Sequence, residues 1–366
     1  SESSYQFLKS IYMSKQQKAA ATAKQPEFEI NTSRQFMPWL IEQNMSLGFS
    51  TYQSGKVFLI GHNPEGDLSV FERTFERPMG MWTDGEVLWL STIYQLYRFK
   101  NSLPAGQLSD GYDRLFVPQK SYVTADIDVH DVAPKNAQSS PVFVNTLFSC
   151  LATVSDDHSF KPIWQPSFIT ELAPEDRCHL NGLALREGKP AYVTAISTTN
   201  VADGWRDHRP SGGVVIDVET NEIITHGFSM PHSPRWANGK LWVANSGAGE
   251  FGYIDMATGK FEVIAFCPGY IRGVSIQGDY AVVGLSKPRH KTFQGLPLDE
   301  RLAKEKIAAR CGLYVIDLKN GGTPHWLTLE GVVTELYDVV TFPNVKRPSM
   351  IGFRNDQIRR VITIDN

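Results

Sequence analysis

From Leu47 onward, hydrophobic and polar positions alternate with a period of two, the pattern of strands that bury one face. Phe49-Ser-Thr-Tyr, Lys56-Val-Phe-Leu-Ile and Leu68-Ser-Val-Phe-Glu-Arg-Thr-Phe read as three strands, separated by Ser-Gly and Pro-Glu-Gly turns. A larger unit then repeats. Met79-Gly-Met-Trp, His130-Asp-Val-Ala, Asn181-Gly-Leu-Ala, Pro234-Arg-Trp-Ala, Arg272-Gly-Val-Ser and Tyr337-Asp-Val-Val superpose as first strands at spacings of 51, 51, 53, 38 and 65 residues. Second strands follow at Val87, Val142, Ala191, Leu241, Ala281 and Met350, and third strands include those at Gln95, Gly213, Gly252 and Gly312.

Repeated strands without intervening helices define an all-β fold, a β-propeller, because each four-stranded blade can bury its faces only against its neighbours. Six first strands give six blades, or seven if residues 47–75 form a blade of their own. N- and C-terminal strands (the last at residues 360–364) join to close the ring and remove its open edge. Residues 1–44 stand apart as an N-terminal helical or mobile arm: 8–24 is rich in Lys, Gln and Ala, and a short helix starts near Phe36. Residues 45–366 form one propeller domain. Insertions near 156–164, 198–212 and 287–310 interrupt it, the last with a portion of helical composition. All three read as following a second strand, which would stand them around the mouth as lids.

Composition adds exclusions. A net charge of −3 gives no electrostatic footprint for nucleic acid or an acidic membrane surface. No apolar run approaches a membrane span. Four cysteines, Cys150, Cys178, Cys267 and Cys311, are widely spaced, which suits buried thiols in a reducing compartment. The start lacks a leader's basic and apolar pattern. The expected location is cytoplasmic. There is no dinucleotide fingerprint, P-loop, nucleophile elbow or H-E-x-x-H.

The candidate chemistry lies where first strands begin, because side chains from all blades converge there. At one slot stand Met79, His130, Asn181, Pro234, Arg272 and Tyr337; two residues earlier stand Arg77, Asp128, His179, His232, Tyr270 and Glu335. His130, His179 and His232 are candidate ligands of a divalent metal with an open position, zinc foremost and calcium, manganese or iron as alternatives. Asn181 is a further ligand or supports one. Blade-to-blade hydrogen bonding is the alternative reading of the histidines, and metal-free acid–base work a third. Arg77, Arg235 and Arg272 suit the anionic group of a substrate, or ion pairs with Asp128, Asp131 and Asp338. Tyr337 and Glu335 are candidates to move a proton.

Cys178-His-Leu-Asn-Gly-Leu-Ala-Leu resembles the strand entries of the gluconolactonase, regucalcin and strictosidine-synthase-like superfamily. That resemblance implies a propeller in which Asn181 meets an axial divalent metal. Asp128-Val-His-Asp, Asn145-Thr-Leu-Phe-Ser and His232-Ser-Pro-Arg-Trp are similar to motifs of an uncharacterised family of bacterial propeller proteins, which implies the fold over nearly the whole chain. A histidine-lined axis also resembles the zinc site of peptide-amidating lyases. The expected function is a metal-dependent hydrolase or lyase acting on a small polar, anionic substrate at the axis. The alternative is a non-catalytic ligand- or protein-binding propeller.

Overall fold

The computed structural model describes residues 28–136, 138–288 and 295–365. Six antiparallel sheets of four core strands each make six blades. In chain order their inner strands are Met81–Thr83, Val129–Pro134, Leu180–Arg186, Pro231–Ala237, Tyr270–Gln277 and Val339–Pro343; the blades are numbered 1 to 6 accordingly. Within blades 1 to 5 the strands run outward in sequence order.

Blade 6 closes the ring. Its inner strand Val339–Pro343 comes from the C-terminal end and pairs with Met45–Ser50, followed outward by Lys56–His62 and Leu68–Thr74. Residues 47–75 are therefore the outer strands of the sixth blade, not a seventh. Met350 does not start a second strand as its apolar neighbours suggest. Pro348–Met350 adds a short parallel strand to the outer edge of blade 1, and Gln357–Arg360 is a helical turn. The outer edge of blade 5 gains Glu29–Thr32, and the helix Phe36–Glu42 packs Phe36, Trp39 and Leu40 into the core between blades 5 and 6. The expected arm over residues 8–24 lies outside the described residues.

The three insertions separate into two kinds. Residues 156–164 do not follow a second strand. Cys150–Thr153 is a third strand of blade 2, and Lys161–Trp164 is its fourth. A connection from third to fourth strand falls on the face opposite the inner-strand entries, so this segment is no lid. Residues 198–212 do link second to third strand, in blade 3, and lie on the entry face, as does the described part, 295–310, of the corresponding segment of blade 5. They meet there: Trp205 from one and Leu296, Leu298 and Leu302 from the other join Ile196, Met230 and Tyr270 in one apolar cluster. Pro297–Glu305 of the second is helical.

Glycine at the inner strands sets how closely blades pack. A Cβ on Gly182 of the Asn-Gly-Leu entry would strike Pro234 of the next inner strand and lie 2.6 Å from Thr194 Oγ1. Blades 3 and 4 can approach this closely only because the side chain is missing.

Candidate functional site

Residues at the mouth carry unusual backbone. Arg77, Asp128, Asp176, His179, Met230 and Ser233, all just before or at an inner-strand entry, have φ between 45° and 56°. Non-glycine residues held in the left-handed region each cost about 1 kcal/mol or more, and such conformations cluster at functional sites.

The axis below the mouth is closed by an ionic plug. Arg235 Nη1 donates to Asp131 Oδ2 at 2.8 Å and to the carbonyls of Leu183 and Pro234, while Nε donates to Val274 O at 3.0 Å. Its Nη2 stands 3.6 Å from Asp338 Oδ1. The two aspartates act alike. Asp131 accepts the backbone N–H of Val132 and of Leu183 on the following blade; Asp338 accepts that of Val339 and of Met81 on the following blade. One guanidinium and two carboxylates thereby bond to the inner strands of all six blades. Arg235 is committed here, and a substrate anion is not what it holds. Burial, and then the neighbouring Asp131, push the Asp338 carboxyl up to about 7 against the pull of Arg235. With that proton in place the plug is electrically neutral.

Above the plug His130, Asn181, His232, Ser233, Arg272 and Tyr337 line a cavity whose floor is the plug itself. The cavity has room for about one water molecule, so anything larger enters only if the side chains or lids above it move. His232 Nδ1 donates to Met230 O at 2.7 Å, which leaves the lone pair on Nε2, and Nε2 is buried without a partner. Tyr337 Oη and Arg272 Nε are likewise buried without partners. Arg272 lies 4.2 Å above the Tyr337 ring and pairs with Glu335 at 3.1 Å. Burial, reinforced by Arg272, holds the His232 imidazole well below its ordinary range, so it is neutral. Burial raises the Tyr337 phenol well above its own, so it keeps its proton.

The other histidines are anchored in the same way. Thr146 Oγ1 donates to Leu180 O at 2.6 Å and so accepts from His130 Nδ1 at 2.8 Å. Burial lowers His130 to about 4, only partly offset by Asp128. His179 Nδ1 donates to the Asp176 carboxylate at 2.8 Å. The lid's Trp205 donates its indole N–H to that carboxylate at 2.9 Å and stacks on the His179 ring at 4.1 Å. His130 and His179 meet edge to face at 4.8 Å.

Several expected residues thus converge, and others do not. His130, Asn181, His232, Arg272 and Tyr337 share the cavity, with Glu335 behind Arg272. Arg77 is at the rim, bonded to Asp126 and facing Tyr52. The Asn181 amide is committed internally: it donates to His179 O and accepts from Thr194. Among the described residues, no three His, Cys, Asp or Glu side chains are grouped so as to hold a metal ion. His130, His179 and His232 are neighbours without being a ready-made metal centre, although each commits Nδ1 in the way metal-binding imidazoles do. Sequence reasoning missed Asp176. Its signal was available in Asp176-Arg-Cys-His, where a three-residue turn returns an acid to an imidazole.

These observations define a six-bladed propeller with a polar axial cavity beneath two lids. The chain belongs to the family described as a domain of unknown function, DUF4915, whose model matches residues 34–351. A search of curated proteins finds no match. Among solved structures, a nidogen/laminin complex is similar at 10% identity over 82% of this chain and 99% of that one, with a TM-score of 0.51. Virginiamycin B lyase from Staphylococcus aureus matches at 10% identity over 84% and 100%, with a TM-score of 0.38. A protein of unknown function from Bacteroides caccae matches at 11% over 81% and 98%, with a TM-score of 0.38. No helix among the described residues is long and apolar enough to cross a membrane.

Proposed function

We propose that the axial cavity is the active site of a hydrolase or lyase for a small, oxygen-rich anionic molecule. One observation carries this reading: His232 Nε2, Tyr337 Oη and Arg272 Nε, three buried polar atoms without partners, belong to the lining of one cavity. Each costs about 1–3 kcal/mol while unsatisfied. A ligand that offers Arg272 an acceptor and His232 a donor recovers that cost. His232 is neutral and Tyr337 protonated, so the base begins with its lone pair and the acid with its proton.

For a hydroxy-carboxylate, Arg272 would hold the carboxylate, with Glu335 fixing the guanidinium. His232 Nε2 would take the proton from the carbon beside the carboxylate. As the carbon–oxygen bond breaks, the departing oxygen would receive the proton of Tyr337. The test is thermal melting with malate and gluconate as probes. Either should raise the melting temperature of the parent protein, and neither that of Tyr337→Phe or Arg272→Gln. Absence of any shift in the parent, or an undiminished shift in both variants, would sink the proposal.

A divalent ion held by His130, His179 and His232 is the second reading, favoured by their committed Nδ1 atoms. It requires the imidazoles to draw together from where they stand. Calorimetric titration of chelator-treated, untagged protein with zinc, manganese and calcium decides it, uptake of one equivalent that His232→Ala abolishes being the supporting result.

A further inference from the structure

The plug has two sides. Below Asp131 and Arg235 lies a second chamber of about 300 Å³, walled by the inner strands of all six blades and reaching the face opposite the lids. Its sides carry Val132, Leu183, Leu185, Val274, Ile276 and Val340, with Trp82 and Trp236 in the wall. Thr83, Ser275, Gln277 and Thr341 interrupt the apolar surface with neutral polar groups. Among the described residues, the charged ones in the lining are Asp131 and Arg235, which neutralise each other at 2.8 Å.

We propose that this lower chamber is a separate binding site for a neutral amphipathic small molecule, with an apolar or aromatic body and a single hydrogen-bonding head. The volume is at the lower end for small-molecule sites, and the lining divides between apolar and polar surface, which suits a ligand with both characters. Water alone filling such a chamber leaves aliphatic surface hydrated at about 25 cal/mol per Å². The charge balance sets the class of ligand. A body with a free carboxylate, sulfonate or ammonium would lose its hydration and meet an ion pair already matched, whereas a hydroxyl, amide or amine N–H can bond to Thr341, Ser275 or the exposed part of the plug. This site does not depend on the chemistry proposed above the plug, and neither reading falls with the other.

The experiment compares two fluorescent probes that share one aromatic body, neutral N-phenylnaphthylamine and anionic anilinonaphthalenesulfonate. The neutral probe should bind the full chain saturably with one equivalent, and the sulfonate at least about tenfold more weakly. Ala237→Phe and Gln277→Phe, on different walls of the chamber, should each weaken the neutral probe by about tenfold or more. Circular dichroism selects the folded variants. The two positions lie on different blades, so failure of one to fold leaves the other as the test. No saturable binding of the neutral probe, equal binding of the two probes, or binding unchanged in a folded variant overturns the assignment.

Discussion

Tyr337 and Asp338 are consecutive residues at one strand entry with opposite circumstances. The tyrosine hydroxyl is buried with no partner, while the aspartate is bonded by two backbone N–H groups and stands beside Arg235. Tyr337→Phe deletes a hydroxyl that nothing among the described residues satisfies. Its stability in urea should match the parent or exceed it by about 1 kcal/mol, even as ligand-induced stabilisation disappears. Arg235→Met should behave in the reverse way. It leaves two buried carboxylates without their cation, and urea unfolding at neutral pH should show a loss of about 3–5 kcal/mol. Asp338 also gives the fold a pH dependence. Its folded carboxyl keeps a proton up to about 7, whereas an unfolded one releases it near ~3.9. The folded state binds more protons between those limits, so this contribution to stability is full below the lower limit and is lost as pH rises to the upper one. His130 opposes it: folded near 4 and unfolded near ~6.5, it removes stability as pH falls through that window. Melting curves of Asp338→Asn, which gives up one of the two backbone N–H bonds, should lie below the parent near pH ~4 and close that gap toward pH ~7. The identity of the site residues was legible at this scale because inner-strand entries converge on an axis. What went unread is that Asp131, Arg235 and Asp338 occupy one position of the repeat and so meet on the axis, whereas Arg272 stands one residue earlier in its unit and pairs with Glu335.

The lids set the next scale. Residues 198–212 reach the site histidines through Trp205, which bonds to Asp176 and lies flat on His179, while Thr199 and Asn200 bond to Arg177. Trp205→Phe preserves the stack and removes the N–H. Amide exchange across residues 198–212 should then speed up by about the factor expected for losing ~1–2 kcal/mol, with little change in the blades. Second strands such as Val87–Ser91 and Tyr280–Ser286 were readable because both their faces are covered and their apolar residues are nearly continuous. Outer strands were harder. Lys161–Trp164 is mostly exposed, so no hydrophobic alternation announces it, and Cys150–Thr153 follows a turn without glycine or proline. Glu29–Thr32 is four residues long and finds its partner about three hundred residues later, a pairing that local pattern cannot reveal.

Across the whole molecule, stability rests on closure more than on any one blade. Each blade's apolar faces are covered by neighbours on both sides, and blade 6 exists only when Val339–Pro343 pairs with Met45–Ser50. A chain ending at residue 336 should fail to give a cooperative thermal transition, whereas one ending at residue 354 should retain it, as differential scanning calorimetry would show. Repeat spacing and terminal strands made the ring and its closure legible from sequence. The contents of the axis were less so, because the plug and both chambers arise from the meeting of six separate segments.

The order of strands in blade 6 also bears on synthesis. Met45–Ser50 is synthesised long before its partner Val339–Pro343. Throughout that interval Met45–Ser50, six residues that are all buried in the finished protein, has an unpaired edge. Unpaired apolar strands of nascent chains are templates for association with other chains. Chaperone demand and inclusion-body formation should accordingly fall in a circular permutant that begins at Val339, in which both strands are made before the other blades.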